Sequence, residues 1–294
     1  MSVFKGSGVA IVTPMGNDGS VNYKALEELI EFQIKNGTDA IVVCGTTGEA
    51  STLNDDEQLE CIRFAASVVN KRVPVIAGAG SNDSLHGVKL CKGSQKAGAD
   101  ALLLVTPYYN KCTQKGLIAH FKMMAASADI PVILYSVKSR TGLNIEPLTV
   151  YELSKVENIT GIKEASADIS QIAHIAELCG NCGFDLYSGN DDHIVPVLSL
   201  GGVGVISTTA NVVPKEVHDI VMKFLAGDAE GSREIQFNIN PLVRALFSEV
   251  NPIPVKAALN LMGFNAGGYR MPLCEMEATN LEKLKITMKD YGLI

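Results

Sequence analysis

Short apolar runs alternate with amphipathic stretches along most of the chain. The apolar runs are rich in Val, Ile, Leu and Ala and lack alternation with polar residues, which is typical of parallel strands buried on both faces. They predict eight strands, over residues 8–13, 40–44, 73–77, 101–106, 132–135, 159–163, 185–188 and 203–207. The intervening stretches carry apolar side chains three and four residues apart, which predicts helices over 22–35, 55–69, 83–97, 115–126, 146–155, 169–179, 192–200 and 215–225.

Eight strand–helix units predict an α/β fold, a closed (β/α)8 TIM barrel. A doubly wound open sheet is the alternative. The first strand–helix turn, Thr13-Pro14-Met15-Gly16, carries no dinucleotide-binding fingerprint and therefore disfavours the open sheet. Residues 226–294 show helical periodicity without a strand pattern. We expect a catalytic barrel over 1–225 and a helical region over 226–294 that packs on it.

Composition narrows the class of protein. The formal net charge of the 294 residues is −7 and the basic residues are scattered, which argues against nucleic-acid binding. The sequence contains no apolar run of membrane-spanning length and no signal-peptide pattern at its start, so we expect a cytoplasmic protein with no membrane partner. The seven cysteines lack the density of a disulfide scaffold, and Cys179-Gly180-Asn181-Cys182 is a lone CxxC motif. The five histidines form neither HxH nor HExxH, so no metal site is expected.

The most informative residue is a lysine at the end of the sixth predicted strand. Lys163 follows the apolar run from Ile159, where an unpaired ammonium is costly to bury. Such a lysine is paired, reaches to the rim, or supplies a reactive amine. Desolvation lowers the pKa of a lysine, and a neutral amine attacks carbonyl carbons to form a Schiff base.

Other polar residues follow the remaining predicted strands, at the end of a barrel where active sites lie. Among them are the turn from Gly45 to Glu49, whose threonines and N–H groups suit a carboxylate, and Tyr135, a candidate proton donor. Arg140 can bind a second carboxylate through two hydrogen bonds. Each residue also has a simpler structural interpretation, as a turn, a rim tyrosine or a surface ion pair. Their convergence on one face favours a carbonyl substrate that bears carboxylates.

The chain resembles the dihydrodipicolinate synthase family of pyruvate-dependent class I aldolases, which includes N-acetylneuraminate lyase. The resemblance covers essentially the whole length. It rests on Gly45-Thr46-Thr47-Gly48-Glu49, Val105-Thr106-Pro107-Tyr108-Tyr109-Asn110, Tyr135 with Arg140-Thr141-Gly142, Gly161-Ile162-Lys163-Glu164-Ala165, Ser188-Gly189-Asn190-Asp191, Gly204-Val205-Ile206-Ser207 and Asn251-Pro252-Ile253-Pro254-Val255-Lys256. It implies a lyase that condenses pyruvate with L-aspartate 4-semialdehyde on the diaminopimelate route to lysine.

The resemblance also implies catalytic roles. Lys163 forms a Schiff base with pyruvate, so no other cofactor is needed. Tyr135 is the centre of a proton relay with Thr46 and Tyr109. The tyrosine at position 109 reaches into the site of a neighbouring subunit, so the expected assembly is a homotetramer, a dimer of dimers.

The implied substrate-binding residues complete the expected site. Thr47 holds the carboxylate of pyruvate, and Arg140 receives the carboxylate of the semialdehyde. The backbone around Gly189 and Ile206 lines the pocket. Two alternatives stay open: another pyruvate- or 2-oxo-acid-dependent aldolase of the family, which Arg140 disfavours, and a non-catalytic binding protein, which the retained relay residues disfavour.

The chain departs from the family pattern in two places. Ser136 and Lys138 stand where the family usually has Asn and Pro, and the missing proline is expected to loosen the loop that orients Arg140. The second departure concerns lysine feedback. In members that lysine inhibits, positions that align with Asp55, Gln58 and His86 often carry histidine and glutamate, so we expect weak or absent inhibition by lysine.

Overall fold

The computed structural model describes residues 2–294, and eight parallel strands within them form a closed barrel. The strands follow one another in chain order, and β8 closes the barrel by pairing with β1, where Gly204 lies opposite Gly6. The predicted (β/α)8 fold is confirmed. The strands are β1 Gly6–Ala10, β2 Ala40–Val43, β3 Val75–Gly78, β4 Ala101–Val105, β5 Val132–Ser136, β6 Ile159–Glu164, β7 Asp185–Ser188 and β8 Gly204–Ser207.

Helices connect the strands and surround the barrel. They are α1 Tyr23–Lys35, α2 Asp55–Val69, α3 Ser84–Lys96, α4 Gln114–Ala125, α5 Lys138–Thr141, α6 Pro147–Ser154, α7 Ile169–Cys179, α8 Ile194–Ser199 and α9 Pro214–Leu225, followed by α10 Ala229–Leu246, α11 Ile253–Leu261 and α12 Ala278–Asp290. Helix α2 begins where the sequence predicts because Asn54 and Glu57 form a capping box. The Glu57 N–H donates to Asn54 Oδ1 at 2.9 Å, and the Asn54 N–H donates to Glu57 Oε2 at 3.0 Å.

The first strand lies closer to the N-terminus than predicted. The apolar run suggests residues 8–13, whereas β1 spans Gly6–Ala10. Beyond it, the side chain of Asn211 replaces a neighbouring strand, because its Oδ1 accepts from the Val12 N–H at 3.1 Å and its Nδ2 donates to the Ala10 carbonyl at 2.8 Å. The sequence pattern shows burial at these positions but not the partner that ends the ladder.

Side chains that point into the barrel fill it. One buried cluster contains inward residues from most strands, among them Val42, Leu103, Tyr135, Tyr187 and Ile206. A second and larger cluster fills the space between the barrel and the helices. The barrel is therefore a packed core, and the open space of the site lies above it at the carboxyl ends of the strands.

The helices after β8 pack outside the barrel and contact its carboxyl end. In α10, Ser232 Oγ donates to the Ile220 carbonyl of α9 at 2.6 Å, and Gln236 Nε2 donates to the Asp191 carbonyl after β7 at 2.9 Å. Residues just before and within α11 reach the turn after β2, as described below. The boundary at residue 225 between two regions stays a prediction.

Candidate active site

A cavity of about 190 Å³ lies at the carboxyl ends of the strands. Six of the eight residues predicted for the site line it or its mouth: Lys163, Tyr135, Thr46, Thr47, Arg140 and Gly189. Asn190, Thr208, Phe247 and Asn251 also contribute to its wall. The structure thus brings together residues from five strand ends and from the segment before α11.

Lys163 and Tyr135 are cross-strand neighbours at the base of this cavity. They are register partners in the β5–β6 pair, and both are buried, with relative exposures of 6% and 7%. Lys163 Nζ lies 4.5 Å from the centroid of the Tyr135 ring, within reach of a cation–π contact. Gly161 precedes them on β6 because a Cβ there would lie 2.7 Å from the Asp185 carbonyl of β7. The backbone ladder therefore fixes a primary amine beside a phenol.

The turn after β2 presents two threonines to the same cavity. Thr13 Oγ1 donates to the Gly48 carbonyl at 2.7 Å and ties the turn to the segment after β1. The Thr47 hydroxyl accepts a hydrogen bond from Asn251 Nδ2 at 2.9 Å and lies 3.3 Å from the Thr208 hydroxyl. Because Asn251 occupies an acceptor position of Thr47, the proton of this hydroxyl is available to Thr208 or to an anion in the cavity.

Arg140 lies at the exposed mouth, on a short helix that the sequence pattern did not predict. Helix α5 forms part of the loop after β5: the N–H groups of Arg140 and Thr141 donate to the Val137 carbonyl at 3.0 and 3.1 Å. Gly142 ends the helix with a φ of +69°, a conformation that glycine adopts at no steric cost. Arg140 Nη2 donates to the backbone carbonyl of Asn251 at 3.0 Å. The backbone that carries Arg140 is therefore hydrogen-bonded, and the loosening expected from the missing proline stays a prediction.

Comparison with known proteins identifies the family. A family model described as the dihydrodipicolinate synthetase family matches residues 3–291. The chain belongs to this family. Its relatives include proteins named 4-hydroxy-tetrahydrodipicolinate synthase from Thermoanaerobacter sp. (strain X514) and Lachnoclostridium phytofermentans, which are 57% and 58% identical over 295 residues and are covered over 99% and 100% of their lengths. A crystal structure of dihydrodipicolinate synthase from Thermotoga maritima is similar at a TM-score of 0.97 and 42% identity, with full coverage of both chains.

Two residues implied by the family resemblance lie outside the cavity wall. Tyr109 is 92% exposed and its φ is +71°, a strained value for a non-glycine residue. Within this chain it does not contribute to the cavity. Ile206 is fully buried in the barrel interior, in the same cluster as Tyr135, and the neighbouring cavity wall is formed by Thr208. Their roles as relay and pocket residues stay predictions.

A buried ion pair supports the threonine turn of this family member and was not predicted from the sequence. Glu49 Oε1 lies 2.7 Å from Lys256 Nζ of α11, and both side chains are fully buried. Lys256 also donates to the carbonyls of Thr13, at 3.2 Å, and Gly268. Burial lowers the pKa of Lys256, and the neighbouring Glu49 carboxylate opposes the shift. The only sequence signal was a lysine within the apolar run of α11.

A buried carboxylate beneath the cavity was also missed as a structural element. Asp191 Oδ2 accepts from the N–H groups of Thr208 and Thr209, at 3.2 and 2.8 Å, and from the Thr209 hydroxyl at 2.7 Å. Burial raises the pKa of Asp191, while hydrogen bonds from Thr209 and Ser207 and the charge of Lys163 oppose the shift. Asp191 thus fixes the turn after β8, which places Thr208 next to Thr47.

A larger cavity of about 430 Å³ adjoins the first and shares Thr46, Tyr135 and Arg140 with it. Its outer wall contains the side chains considered for lysine feedback, including Asp55 and His86, whose Oδ1 and Nε2 atoms are 2.9 Å apart.

Within residues 2–294, no group of three or more His, Cys, Asp or Glu side chains is arranged to hold a metal ion. No helix among those residues has both the length and the apolar character needed to cross a membrane.

Proposed function

We propose that Lys163 performs the synthase reaction of this chain by forming a Schiff base with pyruvate. The predicted activity, that of a 4-hydroxy-tetrahydrodipicolinate synthase and hence a lyase, is confirmed by the family and by relatives of this name. One observation carries the assignment to Lys163: its amine is buried at the end of β6, 4.5 Å from the centroid of the Tyr135 ring, in a cavity lined by two threonines.

In the first stage, the neutral amine of Lys163 adds to the C2 carbonyl of pyruvate, and loss of water from the carbinolamine leaves an iminium. The iminium withdraws electrons, so the pyruvate methyl group loses a proton and an enamine forms. The Tyr135 hydroxyl is assigned to move these protons because the ring lies beside Nζ. The hydroxyl and N–H of Thr47 bind the pyruvate carboxylate.

In the second stage, the enamine carbon attacks the aldehyde carbon of L-aspartate 4-semialdehyde, and the aldehyde oxygen takes up a proton. Arg140 binds the carboxylate of this substrate at the mouth, where a guanidinium makes two parallel hydrogen bonds. The substrate amine then attacks the iminium carbon, and the bond from that carbon to Lys163 Nζ breaks. The attack closes the ring. The attacking nitrogen then loses one proton, the lysine nitrogen gains one, and Lys163 leaves as a free amine.

The third member of the relay, Tyr109, is supplied by a second copy of the chain. Its exposure and strained backbone support this assignment, since the phenol has no hydrogen-bond partner among residues 2–294. We therefore propose a dimer as the minimum active unit and a dimer of dimers as the assembly. One structural neighbour, 42% identical, is described as a monomeric variant, so the assembly is testable by sedimentation at assay concentration.

The iminium supplies the electron sink, so we propose that the reaction needs no metal or organic cofactor. Activity that survives exhaustive chelation is the expected result.

The seven free thiols fit a reducing compartment, and we propose a cytoplasmic location.

Another pyruvate- or 2-oxo-acid-dependent aldolase activity is the second candidate. Lys138, exposed next to Arg140 on α5, is the observation that favours it.

Borohydride trapping with pyruvate tests the central assignment. Reduction of the imine should leave a pyruvyl adduct on the peptide that contains Lys163, read by mass spectrometry. Lys256 is an internal control because it is also buried but is paired with Glu49, so it should stay unmodified. An adduct on Lys256 or on surface lysines, with none on Lys163 of the folded protein, would refute the mechanism.

A further inference from the structure

Helix α5, which carries Arg140, is too short to hold its own position. Its four residues, Lys138–Thr141, are fewer than an isolated helix needs to be stable, and no side chain caps its first turn. Lys138 is its first residue, where the family usually has a proline that would fix φ. The position of Arg140 therefore depends on contacts that hold the chain at the two ends of α5.

Asn144 joins the chain after α5 to three neighbouring elements. Its Oδ1 accepts from Ser136 Oγ of β5 and from Gln171 Nε2 of α7, both at 3.2 Å. Its Nδ2 donates to Gln171 Oε1 at 2.6 Å, and its backbone carbonyl accepts from Gln114 Nε2 of α4 at 2.9 Å. Asn144 lies two positions beyond Gly142, which ends α5, so this half-buried residue fixes the downstream end of the helix.

The carboxylate of Glu164 fixes the orientation of the two amides. Glu164 Oε1 accepts from the Ser166 N–H at 2.6 Å, and Oε2 accepts from Gln171 Nε2 at 3.3 Å. Because an ionised carboxylate is only an acceptor, the Gln171 side chain must turn Nε2 toward it. Gln171 Nε2 then faces Asn144 Oδ1, and Gln171 Oε1 faces Asn144 Nδ2. The reverse orientation of Asn144 would put oxygen against oxygen, so its Oδ1 is also the acceptor for the Ser136 hydroxyl.

We propose that Asn144 is a positioning residue for Arg140 and thereby sets the affinity for the second substrate. The proposal rests on the proposed function, in which Arg140 binds the carboxylate of L-aspartate 4-semialdehyde. The guanidinium of Arg140 is held at its far end by the Asn251 carbonyl, at 3.0 Å, and Asn144 holds the backbone from which the side chain extends. Lys163 is placed independently by the β5–β6 ladder. Loss of Asn144 should therefore weaken binding of the semialdehyde and leave imine formation with pyruvate intact.

Steady-state kinetics of Asn144→Ala test the proposal. The KM for the semialdehyde should rise about fivefold, whereas kcat and the KM for pyruvate should change less than about twofold. The rise is limited because the Thr106 hydroxyl still donates to Thr141 Oγ1 at 2.8 Å and holds α5 against β4. Ser136→Ala removes a single partner of Asn144 and should raise the same KM by a smaller factor.

Asn158→Ala is the matched control for a loss of stability. Asn158 is also half-buried, and its Nδ2 donates to the carbonyls of Ala125 and Ala128 at 2.8 and 3.1 Å. It precedes β6, at the end of the barrel opposite the site. Its loss should lower the urea midpoint as Asn144→Ala does, with both KM values unchanged.

A double-variant cycle shows whether Asn144 acts through Arg140. In the Arg140→Ala background, Asn144→Ala should change kcat/KM for the semialdehyde less than about twofold, because no guanidinium is left to misplace. The same factor in both backgrounds would overturn the positioning role, as would an unchanged KM for the semialdehyde in Asn144→Ala or an equal rise in both KM values. An Arg140→Ala variant with an unchanged KM for the semialdehyde would instead refute the assigned role of Arg140. Absence of pyruvate trapping on Lys163 in the unmodified protein would refute the proposed mechanism itself.

Discussion

The buried ion pair between Glu49 and Lys256 predicts a large and specific loss on Lys256→Met. Methionine approximates the apolar stem of the lysine side chain but removes its ammonium group, and with it the charge and the three donors. The Glu49 carboxylate would then be buried without its cation, and the carbonyls of Thr13 and Gly268 would lose their donor. At an effective dielectric constant of about 20, unit charges at the observed 2.7 Å separation attract each other by about 6 kcal/mol.

The net effect is smaller than this attraction because the folded protein already bears the cost of desolvating both ions. Removal of one partner of a buried pair typically costs about 3–5 kcal/mol. We expect a loss of that size in the free energy of unfolding, measured by urea titration, and a fall in Tm of about 2 °C per kcal/mol. Since the pair holds the turn that carries Thr47, the KM for pyruvate should rise as well.

A double-variant cycle shows whether the charge is the cause. Glu49→Gln combined with Lys256→Met removes both charges, and it should recover more than half of the stability that Lys256→Met loses. Lys155→Met is a matched surface control, because Lys155 pairs with Glu152 at 2.5 Å while both side chains are half exposed, and it should change little. If Lys256→Met were no more destabilising than Lys155→Met, or if the double variant were as unstable as the single one, the reasoning would be wrong.

Three further predictions concern the mouth, regulation and pH. Lys138→Pro restores the usual proline of the family and should lower the KM for the semialdehyde; an unchanged KM would count against a role for Lys138. Free lysine should inhibit weakly or not at all, and clear inhibition at low millimolar lysine in initial-rate assays would contradict this. The hydrogen bond from His218 to Asp39, 2.8 Å long, raises the pKa of His218 above 6.5. The stabilisation that this hydrogen bond gives should be complete below pH 6.5 and should disappear as the pH rises through the raised pKa. The urea midpoints of the unmodified protein and of His218→Gln should therefore converge as the pH increases. A gap between the midpoints that does not change with pH would show that protonation of His218 does not stabilise the fold.

Local signals in the sequence account for the parts of the fold that were predicted well. The capping box of Asn54 and Glu57 sets the start of α2, and the apolar run before Lys163 places that lysine at a strand end. Both depend on residues within a few positions of each other. The barrel followed from the repetition of such units.

Features that depend on distant partners were missed. Glu49 and Lys256 are 207 positions apart, and neither residue has a neighbour in the sequence that indicates the pair. The Asn211 side chain ends β1 from 199 positions away. Helix α5 was missed for a different reason, because its four residues, Lys138–Thr141, are too few to show apolar periodicity. Lys163, Tyr135 and the threonines were found because each lies at or just after the end of a recognisable strand, whereas Asn251 precedes a helix.

The cross-strand placement of Lys163 and Tyr135 separates two kinds of evolutionary change. Their spacing is set by hydrogen bonds of the β5–β6 ladder, which loop substitutions do not alter. Arg140 and Asn251, in contrast, lie on a short helix and on the segment before α11. A lineage can therefore exchange the aldehyde partner by altering the mouth while the amine and phenol stay aligned, so new substrates become accessible without a period of lost imine chemistry.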